Sequence, residues 1–80
     1  MEPINTRLLQ MRKEKGYTQI LMQTLTGIDQ SDYSKLERGV RNYTYTQLRS
    51  LALALDTSMD YLAALTNEKK PYPRNIKKIR

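Results

Sequence analysis

Apolar residues recur along this chain at helical spacing. Ile4, Leu8, Met11 and Lys15 share a stripe with Arg12 beside it, which predicts a first helix over Ile4 to Lys15. A second helix begins at a Thr18 cap and ends near Leu25. A third starts at an Asp29 cap, with Asp32 three residues on as a weak reciprocal partner, and ends before Gly39. The fourth begins at Thr44, where Thr44-Tyr45-Thr46-Gln47 has capping-box spacing, and turns Leu48, Leu51, Ala52 and Leu55 inward. A short fifth helix, capped by Ser58, buries Met59 and Leu62. Gly16, Gly27 and Gly39 each follow a helix-length segment, where a left-handed cap is easiest for glycine. Pro3, Pro71 and Pro73 lie outside positions 4–70, so no proline interrupts these helices. No alternating stretch is long enough for a strand, and there is no internal repeat. The pattern predicts an all-α chain with one small core over residues 1–66.

Composition narrows the chemistry. The 80 residues include neither Cys nor His, which removes disulfides, thiolate or imidazole zinc sites and imidazole acid–base catalysis. No cofactor or metal is expected, and no nucleophile–base arrangement among Ser, Lys and Asp outranks caps and surface positions, so an enzyme is not expected. The longest apolar run, Leu51 to Leu55, is far too short for a membrane span, and the first residues lack an export signal; a cytoplasmic protein with no membrane partner is the expectation.

The formal charge of +6 is unevenly placed. Positions 1–66 hold eight basic and seven acidic residues, so the folded part must be judged by where its charges point. Residues 67–80 hold six cations against Glu68, with two prolines and only Ile76 and Ile79 as aliphatics. They read as a basic flexible tail, either solvated or acting as an arm that adds phosphate attraction.

Two short helices around a glycine turn, Thr18 to Leu25 and Asp29 to Arg38, have the sequence form of a helix-turn-helix. At about 100° per residue, Gln30, Ser31, Ser34, Lys35 and Arg38 fall within an arc of about 140°. Tyr33 and Leu36 point the opposite way, with Ile28 just before them. Amide, hydroxyl and ammonium groups are those that read base edges: Gln pairs bidentately with adenine, Lys with guanine, and Ser with either kind of edge. The competing reading is a polar face that is simply solvated.

The residues Arg12-Lys13-Glu14-Lys15-Gly16-Tyr17-Thr18-Gln19, Thr26-Gly27-Ile28-Asp29-Gln30-Ser31, Ser34-Lys35-Leu36-Glu37-Arg38-Gly39, Arg41-Asn42 and Ser58-Met59-Asp60-Tyr61-Leu62 carry a resemblance. Positions 7–65 resemble the helix-turn-helix domain of Cro and phage-repressor type regulators, the xenobiotic-response-element family. The resemblance implies a compact five-helix, lambda-repressor-like domain of a bacterial or phage transcriptional regulator that binds double-stranded operator DNA as a homodimer, hence nucleoid-associated. It implies that Gln19 contacts phosphate and steadies the recognition helix, and that Gln30, Ser31, Ser34 and Lys35 occupy base-reading positions beside Arg38. Arg41, Asn42 and Tyr43 fall in the loop that meets the second strand's backbone, reinforced by the first amides of helix four; the alternative for Asn42 and Tyr43 is that they only shape the loop. Arg12 and Glu37 match a buried interhelical ion pair. Dimer contacts are implied for Leu55, Asp56, Thr57 and Ser58, with Tyr61 nearby.

The chain departs from the family pattern at three positions. Gln23 stands where a small residue is usual, Tyr33 where isoleucine or valine is usual, and Tyr43 where proline is common. Two larger polar side chains in a tight crossing are expected to compensate one another, with Gln23 partnering the Tyr33 hydroxyl or the helices slightly splayed. Ile20, Leu21, Leu9 and Leu53 point away from the expected core. As a partner surface they support the alternative function, an interaction module such as an antitoxin, binding a second protein and DNA only weakly.

Overall fold

The computed structural model describes residues 6–73, and each of its five helices begins at a side chain that accepts a first-turn N–H. Thr6 accepts from Leu9, Thr18 from Leu21, Asp29 from Asp32, Thr44 from Gln47 and Ser58 from Tyr61, at 2.8–3.1 Å. The helices are α1 (Arg7–Lys15), α2 (Gln19–Thr26), α3 (Gln30–Arg38), α4 (Tyr45–Leu55) and α5 (Met59–Leu62). At α4 the box closes in both directions, because the Gln47 side chain also accepts from the Thr44 N–H at 3.0 Å. Helix α1 starts at Arg7 rather than Ile4: Thr6 takes the cap, and its hydroxyl also donates to the Glu37 carbonyl at 2.8 Å, tying the entrance of α1 to the end of α3. Ile4 lies outside the described residues.

The α2–α3 turn depends on Gly27, whose φ of +75° is left-handed. A Cβ built there meets nothing within 4 Å, so the requirement is backbone conformation and not space.

Leu8 and Met11, Met22, Ile28, Tyr33 and Leu36, Leu51, Ala52 and Leu55, and Tyr61 and Leu62 form one core. Helix α4 packs against α1, α2 and α5, while α1 and α2 both pack against α3. That arrangement holds the back of α3 and leaves its opposite face outside. In α5 the deeply buried partner of Leu62 is Tyr61; Met59 is only half-buried. No helix among the described residues is long and apolar enough to cross a membrane.

Residues 67–73, assigned from the sequence to a flexible tail, run back over the body. Arg7 donates to the carbonyls of Tyr61 and Thr66 and to Asn67 Oδ1, and its guanidinium lies 4.3 Å from the Tyr61 ring centroid. Thr57 Oγ1 donates to the Lys69 carbonyl at 2.7 Å, Lys69 pairs with Glu14 at 2.9 Å, and the Tyr72 hydroxyl donates to Asp60 at 2.6 Å. This stretch has partners up to 60 residues away along the chain, contacts that its local polarity does not signal. The cations from Arg74 onward lie outside the described residues.

Arg7→Ala is expected to lower the free energy of unfolding by about 1–3 kcal/mol, because it removes hydrogen bonds from a charged donor together with the ring contact. Ending the chain after Leu65 should reproduce most of that loss in urea unfolding. Equal stability of the shortened and full chains would show that the strap contributes nothing.

Candidate nucleic-acid interface

The Glu37 carboxylate, near the end of α3, gathers side chains from all three N-terminal helices. Arg12 of α1 donates from Nε to Oε2 at 2.6 Å and from Nη2 to Oε1 at 3.1 Å. Gln19 of α2 donates from Nε2 to Oε1 at 2.6 Å, and the Tyr33 hydroxyl, one turn earlier on α3, donates to Oε2 at 2.7 Å. Arg12 also donates to the Tyr17 carbonyl at 2.9 Å, which fixes the α1–α2 turn.

Burial alone would push the Glu37 carboxyl upward. Hydrogen bonds from Arg12, Tyr33 and Gln19, with the Arg12 charge, outweigh it and hold the carboxyl below its ordinary value. The Tyr33 hydroxyl is pushed strongly up, first by burial and then by the carboxylate it serves. Arg12 is raised, first by its hydrogen bond to Glu37.

The expected Gln23–Tyr33 compensation is not what forms. The Tyr33 hydroxyl is satisfied within its own helix, four residues from Glu37, which places both side chains on one face of α3. Gln23 stays half-buried on α2.

With the back of α3 held this way, Gln30, Ser31, Lys35 and Arg38 are exposed and Ser34 is half-buried. None of these five lies beneath another part of the subunit. Gln19 sits at the first position of α2, half-buried, with its amide nitrogen committed to Glu37.

The α3–α4 loop is less uniform than its sequence suggested. Arg41 is exposed, and its Nη1 forms an ion pair with Asp32 in the first turn of α3, a partner that sequence reasoning missed. Asn42 is exposed. Tyr43 is half-buried against the core, and burial, then the charge of Glu37, raises its hydroxyl; its role in this structure is to anchor the loop where proline is common in the family. In the first turn of α4, the box occupies the Thr44 and Gln47 N–H groups, and those of Tyr45 and Thr46 have no acceptor within the helix.

The residues named for dimer contact are mostly core. Leu55, Thr57, Ser58 and Tyr61 are 0–6% exposed, because the α4–α5 turn folds into the subunit beneath the strap; of the five only Asp56 is exposed. Large apolar side chains do reach solvent on α2, with Ile20 74%, Leu21 37% and Leu25 52% exposed, and on α4 at Leu53. Leu9 is half-buried.

A helix-turn-helix family model matches residues 8–62. The chain is similar to an HTH-type transcriptional regulator, y4dJ, of Sinorhizobium fredii: the two are 38% identical over 65 residues, which are 81% of this chain and 84% of that protein. No solved structure matches the chain significantly.

Glu37→Gln should destabilise the domain by about 3–5 kcal/mol at neutral pH, because Arg12 loses its anion in a nearly buried site. The unfolded chain binds the Glu37 proton at higher pH than the folded chain does. Its contribution is therefore complete above the ordinary glutamate value of 4.5 and is lost as pH falls through the lower folded value. Urea unfolding followed from about pH 6 to about pH 3 should show a shallower acid decline in Glu37→Gln than in wild type. Tyr33→Phe should cost about 1–3 kcal/mol with α3 intact by circular dichroism.

Proposed function

Because the chain belongs to the helix-turn-helix family of DNA-binding transcriptional regulators, we propose that it is a sequence-specific regulator that reads operator DNA with α3 in the major groove. The observation that carries this reading is the exposed ridge of Gln30, Ser31, Lys35 and Arg38 on a helix whose inner side is held by Tyr33, Leu36 and Glu37. Amide and ammonium groups on a rigid helix supply the donors and acceptors that distinguish base pairs. The half-buried Ser34 adds a hydroxyl close to the helix axis, suited to a groove-floor contact.

Backbone contacts fix the register of that helix. Gln19 at the start of α2 reaches one strand with the second N–H of its side-chain amide, the first being held by Glu37, which orients the group. Asn42, Arg41 and the N–H groups of Tyr45 and Thr46 meet the other strand, where the positive end of α4 favours a phosphate. Tyr43 serves this contact by fixing the loop. Two copies bind half-sites about 34 Å apart, one helical turn of the duplex, with their α3 helices in successive major grooves.

A second reading is an interaction module that works through the apolar face of α2. Exposed Ile20, Leu21 and Leu25 favour it. Selection of bound sites from a random duplex pool separates the two, since an interaction module enriches no sequence.

On an enriched site, Lys35→Ala should lower affinity by about 1–3 kcal/mol and relax preference at one base position. Uniform loss over all sequences would make Lys35 a phosphate contact only.

A further inference from the structure

The recognition helix carries two carboxylates at the end that would approach DNA, and they are handled differently. Asp29 is taken up as the α3 cap. Asp32 faces outward on the flank of the ridge, about 60° around the helix from Lys35. It holds Nη1 of Arg41 and lines a polar recess with Asp29, Thr44, Thr46 and Gln47, between the first turns of α3 and α4. Thr46, whose N–H the proposed function assigns to a backbone phosphate, lines the same recess. In the free protein, an internal oxyanion thus occupies the guanidinium beside the place where an external one would bind.

We infer that Asp32 limits the affinity of the protein for DNA: its carboxylate competes with DNA phosphate for Arg41, so a phosphate contact by Arg41 must first displace it. This rests on the DNA-reading function proposed above. Both partners are solvent-exposed, with 43% of the Arg41 side chain and 32% of the Asp32 side chain accessible. An exposed pair is weak enough for a well-placed phosphate to displace. Among the described residues only one guanidinium nitrogen is engaged, so Arg41 can turn its remaining N–H groups outward as the pair opens. On random sequence the protein rides on phosphates without seating α3, and Arg41 stays with Asp32. On a matching site the ridge seats, a phosphate is held against the α4 N-terminus, and Arg41 transfers to it. Matched binding therefore bears the full cost of opening the pair, whereas random binding loses only the weaker phosphate contact that Arg41 forgoes, so the carboxylate weakens matched binding at least as much as random binding.

Asp32→Asn keeps the shape and removes the charge. It should tighten binding to a random duplex by about threefold to fivefold at low salt, the range that an exposed ion pair supports. The slope of log affinity against log salt should steepen by about 0.9, one more phosphate neutralised. Affinity for a selected site should rise at least as much, so the ratio of matched to random affinity does not fall. In an Arg41→Ala background the same substitution should leave the slope unchanged and give a smaller gain.

Heparin, a polyanion without bases, provides the arm that does not depend on DNA recognition. Asp32→Asn should elute at higher salt than wild type, and the difference should shrink when Arg41 is alanine. Co-elution of Asp32→Asn with wild type, or an equal gain with and without Arg41, overturns the competition. Tightening confined to the random duplex, with the selected site unmoved, overturns the transfer of Arg41 to phosphate on a matched site. Wild type that enriches no sequence, with the heparin shift present, overturns the regulator reading and leaves the Asp32–Arg41 competition standing. Should Asp32→Asn fail to fold, Asp32→Ser carries the same comparisons.

Discussion

The structure depends on one carboxylate. Glu37 is nearly buried, and a buried carboxylate is tolerated only when its oxygens are occupied by donors. Arg12, Gln19 and Tyr33 do this from three helices, and Thr6 binds the carbonyl of the same residue. Among the described residues no buried side-chain polar atom is left without a partner. Such a site adds little to stability relative to a well-packed apolar one, because desolvation opposes the Coulombic gain. Its contribution is directional: it sets the rotation of α3 about its own axis and the position of α2 relative to it. An apolar contact fixes neither with the same sharpness.

The outward chemistry follows from that inward constraint. Once Tyr33 and Leu36 face the core, with Glu37 held at the edge of that face, helical geometry turns Ser31, Lys35 and Arg38 away from it and leaves Gln30 and Ser34 on the side next to Glu37. Gln19 joins the two sides, held by Glu37 at its nitrogen while sitting at the exposed start of α2. Charge is arranged with the same economy in the loop, where Asp32 answers Arg41. The strap works at a distance, holding α5 to α1 through Arg7 and using Lys69 on Glu14. It is part of the body's packing, and Lys69 is committed to it.

Much of this was legible in the sequence, for identifiable reasons. Caps and left-handed glycines are local signals, and Thr18, Asp29, Thr44, Ser58, Gly16, Gly27 and Gly39 stand where such signals put them. The inward and outward faces of α3 followed from a fixed angular step. Tyr33 was legible as inward, but its partner was sought across the helix crossing when a four-residue spacing to Glu37 offered one on the same helix. Thr6 was overlooked because apolar Ile4 seemed to extend the stripe, and a cap overrides periodicity at a helix end. Arg7, Thr57 and Tyr72 depend on contacts between distant parts of the chain, which no local pattern encodes. The resemblance implies dimer contacts at Leu55 and Tyr61, and both side chains lie in the core of the single subunit.

The rotation of α3 toward a duplex is tested most directly by amide and side-chain NMR while a selected duplex is titrated into the labelled protein. The largest shifts should fall on the Gln30 side-chain amide, Ser31, Lys35 and Arg38, with smaller ones at Gln19, Asn42 and the first turn of α4. Shifts concentrated at Ile20, Leu21 and Leu25, with those α3 residues unmoved, would contradict a recognition helix poised by Glu37.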